Sequence, residues 1–427
     1  MPKGGGPIRG IGEKFAANPT TGTGSITVPV ATSPGRGGFG PQLSLSYDSG
    51  AGNGPFGFGW SLSLPSITRK TNKGLPQYND ADESDVFILS DAEDLVPEYE
   101  KDAAGAWVIQ NGRHVVHEKP RTVGGVVYAI RRYRPRIEGL FARIERWTRQ
   151  LDGDVHWRSI SKDNILTLYG KDDDARIADP EDPRRIFTWL ICETRDDKGN
   201  AVLYDYKRED GVGVDLVRAC ERNRGDGNDV RRTANRYRKR IRYGNRNPLL
   251  DGAGRRPSLL SELPPLQLQD AGWMFEAVLD YGEHDVDAPK PDDAAAWSFR
   301  GDPFSFYRPG FEIRTTRLCQ RVLMFHHVPD LASGEKGYDG LVRSTDFVYS
   351  HQFDPTSTRN PVYTFLRTAT QTGCRPAPGG YDKRSLPPVV FEYTQPLVQV
   401  GAPTTIATAT PEQLQEMIVI INYSLNA

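Results

Sequence analysis

The chain has little cysteine, no long apolar run and almost no net charge, and each scarcity removes a class of function. Its four cysteines, Cys192, Cys220, Cys319 and Cys374, stand far apart in 427 residues and form no C-x-x-C pair. That argues against a thiolate zinc motif, and a chain this long does not need a disulfide framework. Four reduced, mostly buried thiols are expected. No apolar run approaches about 18 residues, so no helix spans a bilayer and direct membrane insertion is not expected. The N-terminal MPKGGGPIRGIGEKF lacks the apolar stretch of a Sec signal. The expectation is synthesis in the cytoplasm and export by another route. A formal charge of −1 and a pI near 6.7 give no global attraction to nucleic acid. Neither a Walker A loop nor a G-x-S-x-G elbow occurs.

What the chain does have is glycine and proline, 43 and 32 residues, which suits a turn-rich β protein better than a helical one. From Leu43 onward, short runs of alternating apolar and polar residues recur between turn signals: SLSLPSITRK, DVFILS, GVVYAIRRY, GLFARIERWTR and HWRSISKDNILTLYG. Such spacing predicts antiparallel β structure with helix below about 15%. IFTWLICETRDDKGNAVLYDYKRED reads as a hairpin turning at Asp196–Asn200. Three regions follow: a glycine-rich lead-in at 1–40 with one strand at GSITVPV, a β region at 41–400, and a tail at 401–427. Thr410 and Pro411 in the tail have the residue types of a helix start. The charges are locally uneven, with basic RRYRPR and RRTANRYRKRIR set against acidic DADESD and DPEDP. A run of this kind is more often a solvated face than a binding site.

Several stretches tempt a chemical reading. Gly52–Gly57 and Gly35–Gly40 both match G-x-G-x-x-G, yet each leads into a strand pattern rather than a helix. Without a helix N-terminus the phosphate cradle is missing, so these glycines read as hairpin turns lying against aromatic rings. Glu98-Tyr99-Glu100 matches the E-x-E of ADP-ribosyltransferases, but the serine strand that should precede it is absent, and SIS at Ser159–Ser161 comes after it. His114 and His117 fall on opposite faces of a strand, adjacent His326 and His327 diverge, and His351 has no ligand partner at useful spacing. Asp196, Asp197 and Asn200 around Gly199 faintly resemble a calcium loop but lack the alternating oxygen ladder. No catalytic, cofactor or metal residue is therefore assigned. Phe56, Phe58 and Trp60 form an aromatic strip that suits a core strand or, as the alternative, a sugar-binding face. Trp297, Phe304, Phe306, Tyr307 and Phe311 interleave with Arg300, Arg308 and Arg314, which predicts arginine stacking that fastens a loop to a sheet.

The chain resembles the N-terminal region of the B component of insecticidal toxin complexes, the region shared with the Salmonella virulence plasmid B protein (SpvB) family. The resemblance rests on GGGPIRGIGEKFAANPTTGTGSITVPVATSPGRGGFGPQLSLSYDSGAGNGPFGFGWSLSLPSITRKTNKGLPQY, DVFILSDAEDLVP, LYGKDDDARIADPEDPRRIFTWLICETRDDKGNAVLYDYK, VLDYGEHD, FSFYRPGFEIRTTRLCQRVLMFHHV and SLPPVVFEY, in family order over roughly residues 4 to 395. It implies a large antiparallel sheet curving into part of a hollow shell, with TRDDKGNAVLYDY as an Rhs/YD-like hairpin. It also implies a C component of Rhs repeats as partner, an A component reached through a β-propeller, and an enclosed cytotoxic effector. This sequence stops before the propeller, and before the ADP-ribosyltransferase domain found in the Salmonella protein. The expected role is thus a non-catalytic shell component acting outside the cell. The alternatives are the delivery half of an SpvB-type toxin whose transferase is missing or separately encoded, and a free-standing carbohydrate- or partner-binding β module.

Overall fold

The computed structural model describes residues 14–18, 23–90, 94–139, 141–218, 220–330, 334, 336–353 and 363–393. Of these, 44% are strand and 7% helix, so the alternation in the sequence does build an all-β protein. The expected tail helix at Thr410 lies outside the described residues.

Most strands belong to one 18-stranded antiparallel sheet, and two long strands organise it. Val126–Pro135 pairs with Arg143–Arg149, with Glu118–Val123 and, near its end, with Asp94–Pro97. Ile186–Arg195 pairs with Leu166–Tyr169 and Arg176–Ala178, and also with both Ala201–Arg208 and Ser66–Arg69. Because Ser66–Arg69 leads through Phe87–Leu89 to Asp94–Pro97, the ladder of pairs closes on itself. Eight strands form this ring: Ser66–Arg69, Phe87–Leu89, Asp94–Pro97, Val126–Pro135, Arg143–Arg149, Val155–Ile160, Leu166–Tyr169 and Ile186–Arg195. Closure removes the unpaired N–H and C=O groups that an open sheet would leave at its margins. A simple curving sheet did not predict it.

The ring is filled by aromatics. Phe87 packs against Trp157, Trp189 and Tyr133 at centroid distances of 4.9, 5.8 and 6.0 Å. Both indoles are fully buried, and each removes on the order of 150–250 Å² from water. Among them sits Arg69, 1% exposed, donating to the Ile186 carbonyl (2.7 Å), Asp80 (2.6 Å) and Asp85 (2.8 Å). Both acids come from the loop between Ser66–Arg69 and Phe87–Leu89. That loop also brings Glu83 to Tyr133, Arg131 (2.6 Å) and Arg146 (3.1 Å). The acidic run DADESD and the basic run RRYRPR thus meet each other; neither is simply a solvated face. Burial opposes ionisation of Asp80, but the hydrogen bond and charge of Arg69, with Arg146 and Arg131 beyond, outweigh it and hold the carboxyl below its ordinary range.

From Ala201–Arg208 the sheet continues as an antiparallel meander through Arg236–Asn245, Trp273–Asp280, Arg321–Val328, Tyr338–Tyr349, Leu366–Ala377 and Gly380–Ser385. The expected hairpin is present, with Glu193, Thr194 and Arg195 opposite Leu203, Val202 and Ala201. A four-stranded sheet of Lys14–Asn18, Thr23–Pro29, Ser44–Asp48 and Trp60–Leu62 adds Val28, Leu45, Trp60 and Leu62 to the main core. Thr23–Pro29 is the strand read from GSITVPV, and it pairs across position 40 with Ser44–Asp48. The thiols depart from expectation: Cys319 alone is buried, Cys192 and Cys374 are half-buried, and Cys220 is exposed. Cys220 lies in the irregular 209–235 segment, where no strand face demands burial.

Candidate functional site

The glycine fingerprint makes a tight hairpin. Asn53–Gly54 pairs with Gly57–Phe58, and the strand Trp60–Leu62 follows where a dinucleotide loop would need a helix. Gly57 has φ +89°, and a Cβ there would lie 2.8 Å from the Thr364 carbonyl oxygen; at Gly59, φ +79°, it would strike the Tyr47 ring at 2.4 Å. These left-handed glycines interrupt the single strand that Phe56–Leu64 alternation predicts. They also allow Arg300 to reach the Gly54 carbonyl (2.8 Å), with Asp302 (2.9 Å) at its side. Phe56 and Trp60 are 1% and 2% exposed. Two of the strip's three rings are core, Trp60 packing on Phe391 at 4.7 Å and donating to the Tyr393 hydroxyl at 2.7 Å. Phe58 is half-buried against Tyr363 and Phe365. Gly40 lies against the Tyr243 ring, as expected of the second fingerprint.

The interleaved arginines do less stacking than expected. Arg300 lies 5.0 Å from the Phe304 ring centroid, but Arg314 is taken by Glu221 at 2.5 Å. Glu221, 1% exposed, also receives Arg232 (2.5 Å) and Arg224 (2.6 Å). Glu209 receives Arg317 (3.0 Å) and Tyr237 (2.8 Å). Ionic hydrogen bonds, more than ring stacking, fasten the 209–235 and 297–317 segments to each other, and the Tyr237 hydroxyl ties Glu209 to the sheet. RRTANRYRKRIR is consumed in the same way: Arg231 pairs with Asp229, Lys239 with Asp293, Arg240 with Glu276 and Arg242 with Asp205. An interface that bound phosphates would need such cations free.

The histidines do not converge. His326 bonds Ser33 Oγ at 2.6 Å, while its neighbour His327 lies between Asp339 (2.6 Å) and Glu276 (3.0 Å). Hydrogen bonds to Glu276 and Asp339 raise the His327 pKa above its ordinary value. His351 lies parallel to Tyr349. Asp196 closes an Asx turn, accepting from Lys198 N (2.9 Å) and Asn200 N (2.8 Å), which accounts for the faint calcium pattern.

Two clusters escaped the sequence reading. Glu283, His284 and Asp293 offer ligand atoms within 4.8 Å of one another. Lys239 already fills the space between them, with Nζ 2.7 Å from Asp293, 2.8 Å from His284 Nε2 and bonded to Glu283. Burial would raise the Glu283 pKa, but His284 and Lys239 outweigh it and keep the carboxyl low. An ammonium ion repels a metal from that position, so the group is an internal ion cluster under Trp297. The second cluster is a groove of about 420 Å³ beside the hairpin Ile109–Gln110 and Arg113–His114, lined by Glu98, Tyr99, Lys101, Trp107, His114 and Arg134 among others. Here the first glutamate of E-x-E, Glu98, meets His114, together with a tryptophan that no periodicity singles out; Glu100 does not line the groove.

The family model described as Salmonella virulence plasmid 65kDa B protein (SpvB) matches residues 18–328. The chain belongs to the SpvB family. Curated relatives named mono(ADP-ribosyl)transferase SpvB, from Salmonella typhimurium and Salmonella dublin, are 39% identical over 324 residues, 75% of this chain and 50% of theirs. The chain thus spans about half the length of the curated relatives it matches. Among solved structures, the N-terminal domain of effector protein SpvB from Salmonella typhimurium strain LT2 is 35% identical with a TM-score of 0.66, over 81% of this chain and 98% of that one. TcdB2-TccC3 matches at 30% identity and TM-score 0.73, over 92% of this chain and 17% of that one. A chain of the Photorhabdus luminescens Tc holotoxin pore gives 0.72 at 30% identity, over 92% and 16%. The SpvB-family and Tc-toxin resemblance read from the sequence therefore holds.

Proposed function

We propose that this chain is a non-catalytic wall module of a Tc-type toxin assembly, helping to enclose a cytotoxic effector and deliver it outside the producing cell. The observation that carries the reading is the extent of the TcdB2-TccC3 match: 92% of this chain fits 17% of a much larger chain at 30% identity. Its charged side chains support a mechanical role. Glu209, Glu221, Asp80 and Asp85 each hold buried or half-buried arginines that tie loops onto strands. Broken singly, such pairs cost several kcal/mol, so they fix shape; none needs a substrate to complete it. The partner is a C component of Rhs repeats, and contact with an A component runs through the propeller of a full B component. Neither cofactor nor metal is assigned.

A second reading has its own support. The curated relatives are transferases, and the match to the SpvB N-terminal domain covers almost all of that domain. This would make the chain the delivery half of an effector whose transferase is encoded elsewhere. Incubation of the purified chain with labelled NAD and a eukaryotic lysate tests the non-catalytic role shared by both readings. Background labelling is expected; transfer abolished by Glu98→Gln with Glu100→Gln would overturn it.

A further inference from the structure

We propose that the Trp107 groove binds an uncharged saccharide. The site starts from backbone: Glu98 N donates to the Arg132 carbonyl and His117 N to the Glu98 carbonyl, both at 2.8 Å. Glu100 is held in the same way by Val115 (2.8 Å) and Val108 (3.0 Å). The short hairpin is thereby tied to the Val126–Pro135 strand of the ring. His114 on this hairpin packs with Tyr99 and Trp107, which isolated bridges to Val116 and Lys101 hold beside it, with Trp107 at 86° to Tyr99 and 75° to His114. Lys101 Nζ sits 4.4 Å from the Trp107 centroid, and the residue as a whole is still 45% exposed.

The tryptophans of the ring itself, Trp147, Trp157 and Trp189, are fully buried. An indole left open beside a hydrogen-bonded hairpin is a flat apolar platform, the surface on which the C–H face of a sugar ring stacks. Polar groups surround it. Among the described residues, the side chains of Glu98 and Arg134 have neither a hydrogen bond nor an ion pair, whereas neighbouring Arg131 and Arg132 are paired with Glu83 and Glu145. A carboxylate only accepts; a guanidinium only donates. A sugar hydroxyl does both, so neutral hydroxyls can satisfy Glu98 on one side and Arg134 and Lys101 on the other. A ligand of either charge would leave the group of its own sign facing it. The volume suits a short oligosaccharide. This inference does not rest on the shell role: none of the groove's lining side chains is among the aromatics that fill the ring.

The test is calorimetric titration of the full chain with cellotriose, maltotriose and triacetylchitotriose, with sialyllactose and a heparin tetrasaccharide as charged arms. Saturable binding to at least one neutral trisaccharide is expected. Trp107→Ala should weaken it about tenfold or more, Glu98→Gln several-fold, and Trp107→Phe should retain most of it. Unchanged circular dichroism separates these losses from misfolding, which a half-exposed position makes a minor risk. No binding to the neutral set, binding to the charged sugars alone, or binding indifferent to Trp107→Ala would overturn the assignment.

Discussion

Replacing Arg69 by Met keeps an apolar stem of similar length inside the eight-stranded ring and removes the one cation that Asp80 and Asp85 share. The guanidinium makes four bonds: to the Ile186 carbonyl at 2.7 Å, to Asp85 at 2.8 Å, and to Asp80 at 2.6 and 2.9 Å. Breaking a buried pair on one side costs roughly 3–5 kcal/mol, chiefly from the charge left behind. Two features favour the lower end. Asp85 keeps backbone donors at Gln77 and Tyr78 (2.8 and 2.9 Å), and the Asp80 side chain is 25% exposed. The expected loss is therefore about 3 kcal/mol, read as a lower urea midpoint at unchanged slope. Adding Asp80→Asn to Arg69→Met should restore part of it, because the second change removes the stranded charge. The Asp80 contribution also has a sign in pH. Its folded pKa is depressed, so the stabilisation is complete above the unfolded value near 3.8 and disappears as pH falls through the folded one. A loss below about 1 kcal/mol, or no recovery in the double variant, would refute the reading that Arg69 holds the Asp80–Asp85 loop onto the ring.

His327 works in the opposite sense: its folded pKa is raised, so its contribution is complete below about 6.5 and fades as pH rises through the folded value. His327→Asn should flatten that part of the stability curve between pH 6 and 9; an unchanged difference from the parent would count against it. Gly57→Ala imposes a left-handed φ on alanine and a 2.8 Å contact on the Thr364 carbonyl. A loss of about 2 kcal/mol in urea unfolding is expected, and a neutral result would reject the close approach. Thiol titration should show one fast group, exposed Cys220. Burial raises Cys192 to about 12 and lifts Cys374 above its ordinary value, so these half-buried thiols should react slowly. Cys319, raised well above its ordinary value and fully buried, should react only on unfolding. Two or more fast thiols would contradict this packing.

Strand identity was largely legible in the sequence because half-buried strands write their pattern in alternate positions: Ile186–Arg195 and Ala201–Arg208 emerge as the hairpin their turn residues announce. Ring closure was not legible. It depends on Thr188 meeting Thr68 and on Tyr133 meeting Pro97, pairings between distant residues that no local period encodes. Charge runs misled for a related reason. Composition marks DADESD and RRYRPR as solvated, but only the fold brings Glu83 to Arg131. The groove was half visible: Glu98 and His114 stood out as letters, while Trp107 sits on an isolated bridge to Lys101, outside any strand whose periodicity could mark it. The two left-handed glycines at 57 and 59 broke an alternation that, on paper, ran unbroken to Leu64.

The measurement that tests the central claim most directly is co-expression of this chain with an Rhs-repeat component from a Tc-type locus, followed by size-exclusion chromatography and electron microscopy of the product. A stable complex is expected, with this chain's ring and meander built into the wall of a closed shell. A chain that stays apart from every such component, yet transfers ADP-ribose unaided, would contradict the account.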